Sequence, residues 1–230
     1  MRAVSVGGPF SSPPNRCGFP RREPGAAFVS LGDGHEEKFD HVVIGAHADQ
    51  ALAMLNDPTP DERRLLSPFK YSRNEAVLHE DAALMPRRRK VWSSWNYMAR
   101  RGGDAEPVSV TYWMNRLQSL PEATPRFVSL NPIVEPRADL VLLRQICEHP
   151  IFSAETAAAQ DDLWTLQGRR ATWFCGAYFG AGFHEDGLQA GLAVAEALGG
   201  ARRPWRVANE SGRIKLGADS AGAAKDMISS

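Results

Sequence analysis

Apolar positions along this chain come in short runs broken by glycine, proline and charge, the pattern of an alternation of short strands and helices. Thr172-Trp173-Phe174-Cys175 is a β-branched and aromatic run, the composition of a buried strand. Gly176, Gly180 and Gly182 then remove side chains over seven positions, so a ligand can approach the backbone closely there. Asp186 and Gln189 have the spacing of a capping box, which predicts a helix from near Gly187. Leu188, Leu192, Ala195 and Leu198 share one face of it, and Gly199 supplies the stop. Strand, glycine loop and helix in that order aim the helix's positive end back into the loop, which suits an electron-rich ligand.

The same reading runs through the rest of the chain. Residues 26–31 and 38–44 predict a hairpin around Gly32-Asp33-Gly34. His41-Val42-Val43-Ile44-Gly45-Ala46 reads as a buried strand ending in small residues. Helices are expected over 47–55, ended by Asp57-Pro58, and over 61–66, opened by Pro60. Further strands are expected over 74–79, 108–114 and 127–130. Residues 146–152 return the chain to the first domain. Ser153 caps a helix over 154–166, closed by Gly168. Residues 1–20, rich in glycine, proline and serine, read as a disordered leader. Beyond Gly199 the chain turns polar, and 217–230 reads as disordered.

Composition narrows the class. The 230 residues suffice for one large domain or two small ones. The formal net charge is zero, so no global field argues for a nucleic-acid or membrane partner. Cys17, Cys147 and Cys175 are far apart and form no CxxC, which fits a reducing, cytoplasmic location. No apolar run approaches the roughly 18 residues that span a bilayer, so no integral membrane segment is expected.

The run Gly182-Phe183-His184-Glu185-Asp186-Gly187-Leu188-Gln189-Ala190-Gly191 is similar to the C-terminal FAD motif of flavin-containing amine oxidoreductases. A closer resemblance is to a bacterial branch described as predicted NAD/FAD-binding oxidoreductases, a domain type also found at the N-terminus of some plant cyclopropane fatty-acid synthases. It rests on His47-Ala48-Asp49-Gln50-Ala51-Leu52, Leu84-Met85-Pro86-Arg87-Arg88, Trp92-Ser93-Ser94-Trp95-Asn96-Tyr97 and Thr111-Tyr112-Trp113-Met114-Asn115-Arg116-Leu117-Gln118, which with the first run cover about 22–198. The resemblance implies an α/β fold: a partial FAD-binding Rossmann-like domain with an inserted α+β substrate domain. The implied division is a leader at 1–20, the FAD-binding domain at 21–78 and 145–200, a substrate-side insertion at 79–144 and a polar tail at 201–230. It implies FAD as cofactor, met by Gly45, Ala46, Gly176, Ala177, Gly182, Phe183, His184, Glu185 and Gly187. The implied reaction passes hydride from a small-molecule or lipid-like substrate to the flavin; no catalytic residue is assigned.

One expected element is missing. A flavin enzyme of this kind opens with a strand, a G-x-G-x-x-G turn and a helix, and none is present in these 230 residues. The chain therefore reads as the C-terminal part of a longer oxidoreductase whose partner is the N-terminal half. The alternative is a non-catalytic remnant or interaction protein that keeps the fold without the cofactor.

Several residues carry more than one reading. Asp186 stands where glycine is common in the wider superfamily, and its charge opposes a reduced flavin unless capping absorbs it. His184-Glu185-Asp186 are adjacent on one turn and do not converge on an ion, so no metal is expected. His184 lies near the flavin or is a hydrogen-bonded loop histidine. Gly45-Ala46-His47 approaches a cofactor or is a plain strand-to-helix turn. Arg87-Arg88-Arg89-Lys90 with Trp92, Trp95 and Tyr97 reads first as a solvated edge beside a core aromatic pair. An anionic substrate site comes second, and single-stranded nucleic acid is disfavoured by the neutral chain.

Overall fold

The computed structural model describes residues 3–6, 18–30, 35–99, 108–205 and 212–216. The chain begins with β1 (Ala3–Val6), β2 (Gly18–Glu23), β3 (Ala26–Ser30), β4 (Glu36–Phe39) and β5 (His41–Ile44), then α1 (Ala48–Met54) and α2 (Pro60–Leu66). It continues through β6 (Lys70–His79), β7 (Trp95–Ala99), β8 (Val108–Trp113), α3 (Met114–Leu117), β9 (Phe127–Leu130) and β10 (Val141–Ile151). It closes with α4 (Ala154–Asp162), β11 (Thr172–Phe174) and α5 (His184–Ala197). Two compact units result: Met1–Tyr71 with Pro150–Ser230, and Ser72–His149.

The first unit is α/β. Its parallel sheet has the order β1-β5-β11, and β2-β3-β4 form a separate antiparallel meander. Val42, Ile44 and Phe174 from the sheet meet Ala48, Ala51, Leu65, Leu66, Leu163, Leu166 and Ala190 in one buried cluster. Each large side chain buried there contributes about 1.5–3 kcal/mol.

Three expectations about this unit need correction. Residues 1–20 are not coil throughout: Ala3–Val6 pairs with His41–Ile44 in parallel, and β2 starts at Gly18. The alternating Ala3-Val4-Ser5-Val6 is a strand pattern once a buried strand lies beside it, whereas 7–17 fall outside the described residues. Residues 38–44 are two strands: the chain bends at Asp40 and passes from the meander to the parallel sheet. The 154–166 helix is α-helical only to Asp162 and tightens to a 3₁₀ turn over Leu163–Leu166. The expected turn at Gly32-Asp33-Gly34 and the tail at 217–230 lie outside the described residues.

Local chemistry fixes the helix starts. Pro60 sits in the first turn of α2. Thr59 Oγ1 accepts from Glu62 N at 3.2 Å, while the Glu62 carboxylate accepts from Thr59 N at 2.7 Å. Ser153 and Thr156 cap α4 in the same reciprocal way. Ser153→Ala is expected to cost about 0.5–2 kcal/mol, read as a lower thermal midpoint.

A charged brace ties the unit together. Arg22 is 2% exposed. Its Nη1 and Nη2 donate to the two Glu62 oxygens at 2.6 and 2.9 Å, and its Nε donates to Asp57 Oδ1 at 3.0 Å. Arg170 donates to Arg22 O at 2.6 Å and also pairs with the Asp57 carboxylate. Arg170 and Ala171 have φ of 52° and 59°, a left-handed step that non-glycine residues rarely take. The contacts of Arg170 hold that step, and it delivers the chain into β11.

The second unit is a five-stranded sheet of order β10-β6-β9-β8-β7, in which β6, β9, β8 and β7 pair antiparallel. Its buried face mixes apolar Val77 and Phe127 with polar side chains. Asn96, Thr111 and Ser129 are cross-strand neighbours, and Thr111 Oγ1 and Ser129 Oγ lie 2.7 Å apart. Ser129 Oγ also meets His79 Nε2 at 2.9 Å. Burial lowers the pKa of His79 more than nearby Asp81 restores it. The opposite face carries Trp95, Tyr97, Val110, Tyr112, Val128 and Leu130, none of them fully buried.

Candidate functional site

β5 and β11 run parallel, with Phe174 beside Ile44 and Cys175 N donating to Ile44 O at 3.0 Å. Their carboxyl ends therefore lie together, and in open α/β sheets ligands collect at such ends. Gly45 and Ala46 leave β5 there, and Gly176 and Ala177 leave β11. A Cβ on Gly176 would stand 3.2 Å from Ala46 O. Gly187 joins them, since a Cβ on it would stand 3.5 Å from Ala177 N. Five of the nine expected contact residues thus converge through backbone geometry.

The other four belong to the start of α5. The helix begins at His184, three residues before the expected Gly187. Phe183 is its N-cap residue, and Asp186 Oδ2 accepts from Phe183 N at 2.7 Å. Phe183, His184 and Glu185 are exposed. The His184 and Glu185 backbone N–H groups have no acceptor among the described residues, as the first turn of a helix dictates. Gly182 has φ +87° and faces elsewhere: a Cβ there would be 3.0 Å from the Phe152 ring.

The charge of Asp186 is absorbed. The residue is fully buried, and besides the Phe183 N–H it takes Arg213 Nε at 2.6 Å. Arg213 N in turn donates to Gln189 Oε1 at 3.2 Å, and Ile214 is buried in the core. Residues 212–216 therefore strap onto α5, a contact the sequence reading missed. The alternation Arg213-Ile214-Lys215-Leu216 is the signal that marks it. The buried side of α5 is also different from the expected one. Asp186, Gln189, Ala190, Ala193 and Val194 face inward, while Leu188 is 53% exposed. Small residues let the helix lie close to the loop, and Leu188 is displaced outward.

The loop glycines answer internal packing. A Cβ on Gly176 would be 2.8 Å from the Tyr178 ring, and one on Gly180 would be 2.6 Å from Asp186 Cγ. Tyr178 is buried against Phe69 and Phe179, and its phenol oxygen has no hydrogen-bond partner among the described residues. Burial raises its pKa well above the ordinary value, so it stays protonated. Burial also pushes the Cys175 thiol up to about 11, which leaves it a poor nucleophile near neutral pH. His47 stacks on Tyr71 at 4.2 Å, and the Tyr71 hydroxyl accepts from Ala48 N at 2.9 Å. His47 thus helps to anchor the start of α1.

A flavin ring asks for backbone donors at its electron-rich pyrimidine edge and for flat space beside them. The donors fit: the His184 and Glu185 N–H groups are unengaged at the positive end of a 14-residue helix. Gly176, Gly180 and Gly182 supply no cradle, since Tyr178, Asp186 and Phe152 occupy the space beside them. Gly45, Ala46 and Ala177 with the first turn of α5 are the residues that would hold the ring. Among the described residues, no group of three or more His, Cys, Asp or Glu is placed to hold a metal ion.

The basic stretch belongs to the second unit. Arg89 Nη2 bonds Glu122 at 2.9 Å, and its guanidinium lies 5.0 Å from the Trp92 ring. Trp92 packs edge-on against Trp113 and Phe127, while Trp95 is 53% exposed. The aromatic pair is therefore Trp92 with Trp113, and Arg87, Arg88 and Lys90 are exposed.

No family model matches the chain, and no curated protein matches it. Among described residues no helix is long and apolar enough to cross a membrane. Solved structures do match. One is a protein from Exiguobacterium sp. 255-15 assigned as a protoporphyrinogen oxidase, with TM-score 0.53 and 11% identity over 77% of this chain and 45% of that one. Another is a reduced UDP-galactopyranose mutase, with TM-score 0.50 and 12% identity over 83% of this chain and 48% of that one. The chain spans less than half the length of either, and at these identities the likeness is one of fold.

Proposed function

We propose that these residues form the ring-facing part of an FAD-dependent oxidoreductase of the amine-oxidase type. The observation that carries the reading is the unengaged first turn of α5, set beside the joined carboxyl ends of β5 and β11. The fold relatives support it: one is assigned as an oxidase, and the other was captured in a reduced state. When bound, a flavin would supply the hydride acceptor for a substrate C–H bond, such as the one beside an amine nitrogen. The chain's own part is to present the His184 and Glu185 N–H groups at the ring's electron-rich edge. Gly45, Ala46 and Ala177 lie alongside, and the Asp186–Arg213 pair removes a charge that would oppose reduction. The unit Ser72–His149 is assigned the substrate side, and the substrate is a small or lipid-like molecule.

The test follows from the sequence. Without a G-x-G-x-x-G turn in these residues, the ring is the part of FAD they hold, so lumiflavin is the probe. Purified protein is expected to lack stoichiometric yellow absorbance. Lumiflavin should nevertheless shift the His184 and Glu185 amides in an NMR titration. His184→Pro removes one N–H at the helical position that tolerates proline, so helicity by circular dichroism should hold while lumiflavin affinity falls several-fold. Arg88→Ala should leave affinity unchanged. Equal affinity in His184→Pro and the parent would remove α5 from the site. No lumiflavin binding at all would favour a fold kept without its cofactor.

A further inference from the structure

A cavity of about 490 Å3 is bounded by α4, the glycine loop and residues 212–216, a volume in the range of small-molecule sites. Phe152, Ala157, Phe179 and Ala181 give it apolar walls, and Arg213 and Lys215 complete them. Most polar groups of the wall are already engaged. Ser153 and Thr156 cap one another, and Gln160 Nε2 donates to the carbonyls of Tyr178 and Gly180 at 2.8 and 2.6 Å. Arg213 is the exception. Its Nε is taken by Asp186 and its guanidinium lies 5.6 Å from the centre of the Phe183 ring, but neither Nη group is hydrogen-bonded among the described residues.

Charge decides the ligand class. Arg213 is paired with Asp186 and Lys215 with Asp161, and Glu185 adds a carboxylate close enough to raise the Arg213 pKa further. Three carboxylates against two cations leave no net positive field for an anion. A neutral ligand pays no such electrostatic cost, and an acceptor oxygen on it satisfies the unclaimed Nη–H groups. We propose that this cavity binds an uncharged, largely apolar small molecule whose single acceptor oxygen is held by Arg213. The site uses neither the His184 nor the Glu185 N–H group, and it stands whether or not a flavin binds.

The experiment compares two probes of nearly one shape, benzylacetone and hydrocinnamate, which differ in a ketone methyl against a carboxylate oxygen. In an NMR titration of the whole chain, benzylacetone is expected to shift the amides of Ala157, Ala181 and Lys215 saturably. Hydrocinnamate is expected to bind at least about tenfold more weakly. Ala157→Trp, at an exposed position of α4, should fill the cavity and abolish benzylacetone binding while leaving the Asp186–Arg213 pair and lumiflavin binding intact. No saturable shift, equal or tighter binding of hydrocinnamate, or unchanged binding by Ala157→Trp would each overturn the proposal. Lumiflavin is followed at different amides, so failure here is distinguishable from failure of the flavin reading.

Discussion

Arg22→Met is expected to destabilise the first unit by about 3–5 kcal/mol, because it strands a buried carboxylate. Glu62 is 3% exposed, and both its oxygens are held by the Arg22 guanidinium. Asp57 is less affected, since Arg170 still pairs with it. Urea unfolding should show the loss as a lower midpoint. Arg22→Met combined with Glu62→Leu should recover part of it, because the buried charge is gone while Thr59 N loses its capping acceptor. A double variant as unstable as the single one would show that Arg22 acts through packing.

The same pair gives a pH signature. Burial opposes ionisation of Glu62, but the hydrogen bonds from Arg22 and Thr59 and the Arg22 charge outweigh it, so the pKa is lowered from 4.5. A depressed carboxylate contributes stability that is complete above its unfolded pKa and is lost as pH falls through the folded one. The unfolded states titrate alike, so the gap between wild type and Arg22→Met should be full only above the burial-raised Glu62 pKa of the variant and shrink as pH falls toward the depressed pKa of the wild type. A gap that widens on acidification would contradict this assignment.

Gly180→Ala is the second large effect. The added methyl would lie 2.6 Å from Asp186 Cγ and 2.8 Å from Arg213 O. Arg213 O is backbone, and Asp186 is held by Phe183 N and Arg213 Nε. Overpacking of this kind costs about 1–3 kcal/mol, and displacing Asp186 loosens the start of α5 for a further cost of about 0.5–2 kcal/mol. Gly191→Ala is the control: nothing lies within 4 Å of its Cβ position, and it sits inside α5. It should stabilise the protein by about 0.5–1 kcal/mol. Similar midpoints for the two variants in chemical denaturation would mean that the glycine loop relaxes freely.

Local chemistry made much of the fold legible. Pro60 and Ser153 announced the starts of α2 and α4, because a fixed φ and a hydroxyl acceptor act over three residues. The run Thr172–Phe174 declared a strand by composition, and the loop and helix after it followed in the expected order. At the candidate site the sequence placed a glycine loop ahead of a helix N-terminus. It also raised the question of the Asp186 charge, which local capping by Phe183 N and a cation 27 positions away answer together.

What remained hidden depends on partners distant along the chain. Ala3–Val6 is a strand because β5 offers it an edge, and Arg213 matters because its segment folds back on α5. The face of α5 that packs inward was chosen by the space the loop leaves, not by the leucine spacing. In the second unit the alternation along Val108-Ser109-Val110-Thr111-Tyr112 marks two faces without saying which is covered. The fold buries Ser109 and Thr111, because Leu130 O and Ser129 Oγ take up their hydroxyls. A period of two fixes which side chains travel together; the hydrogen-bond partners brought by other strands decide which side goes in.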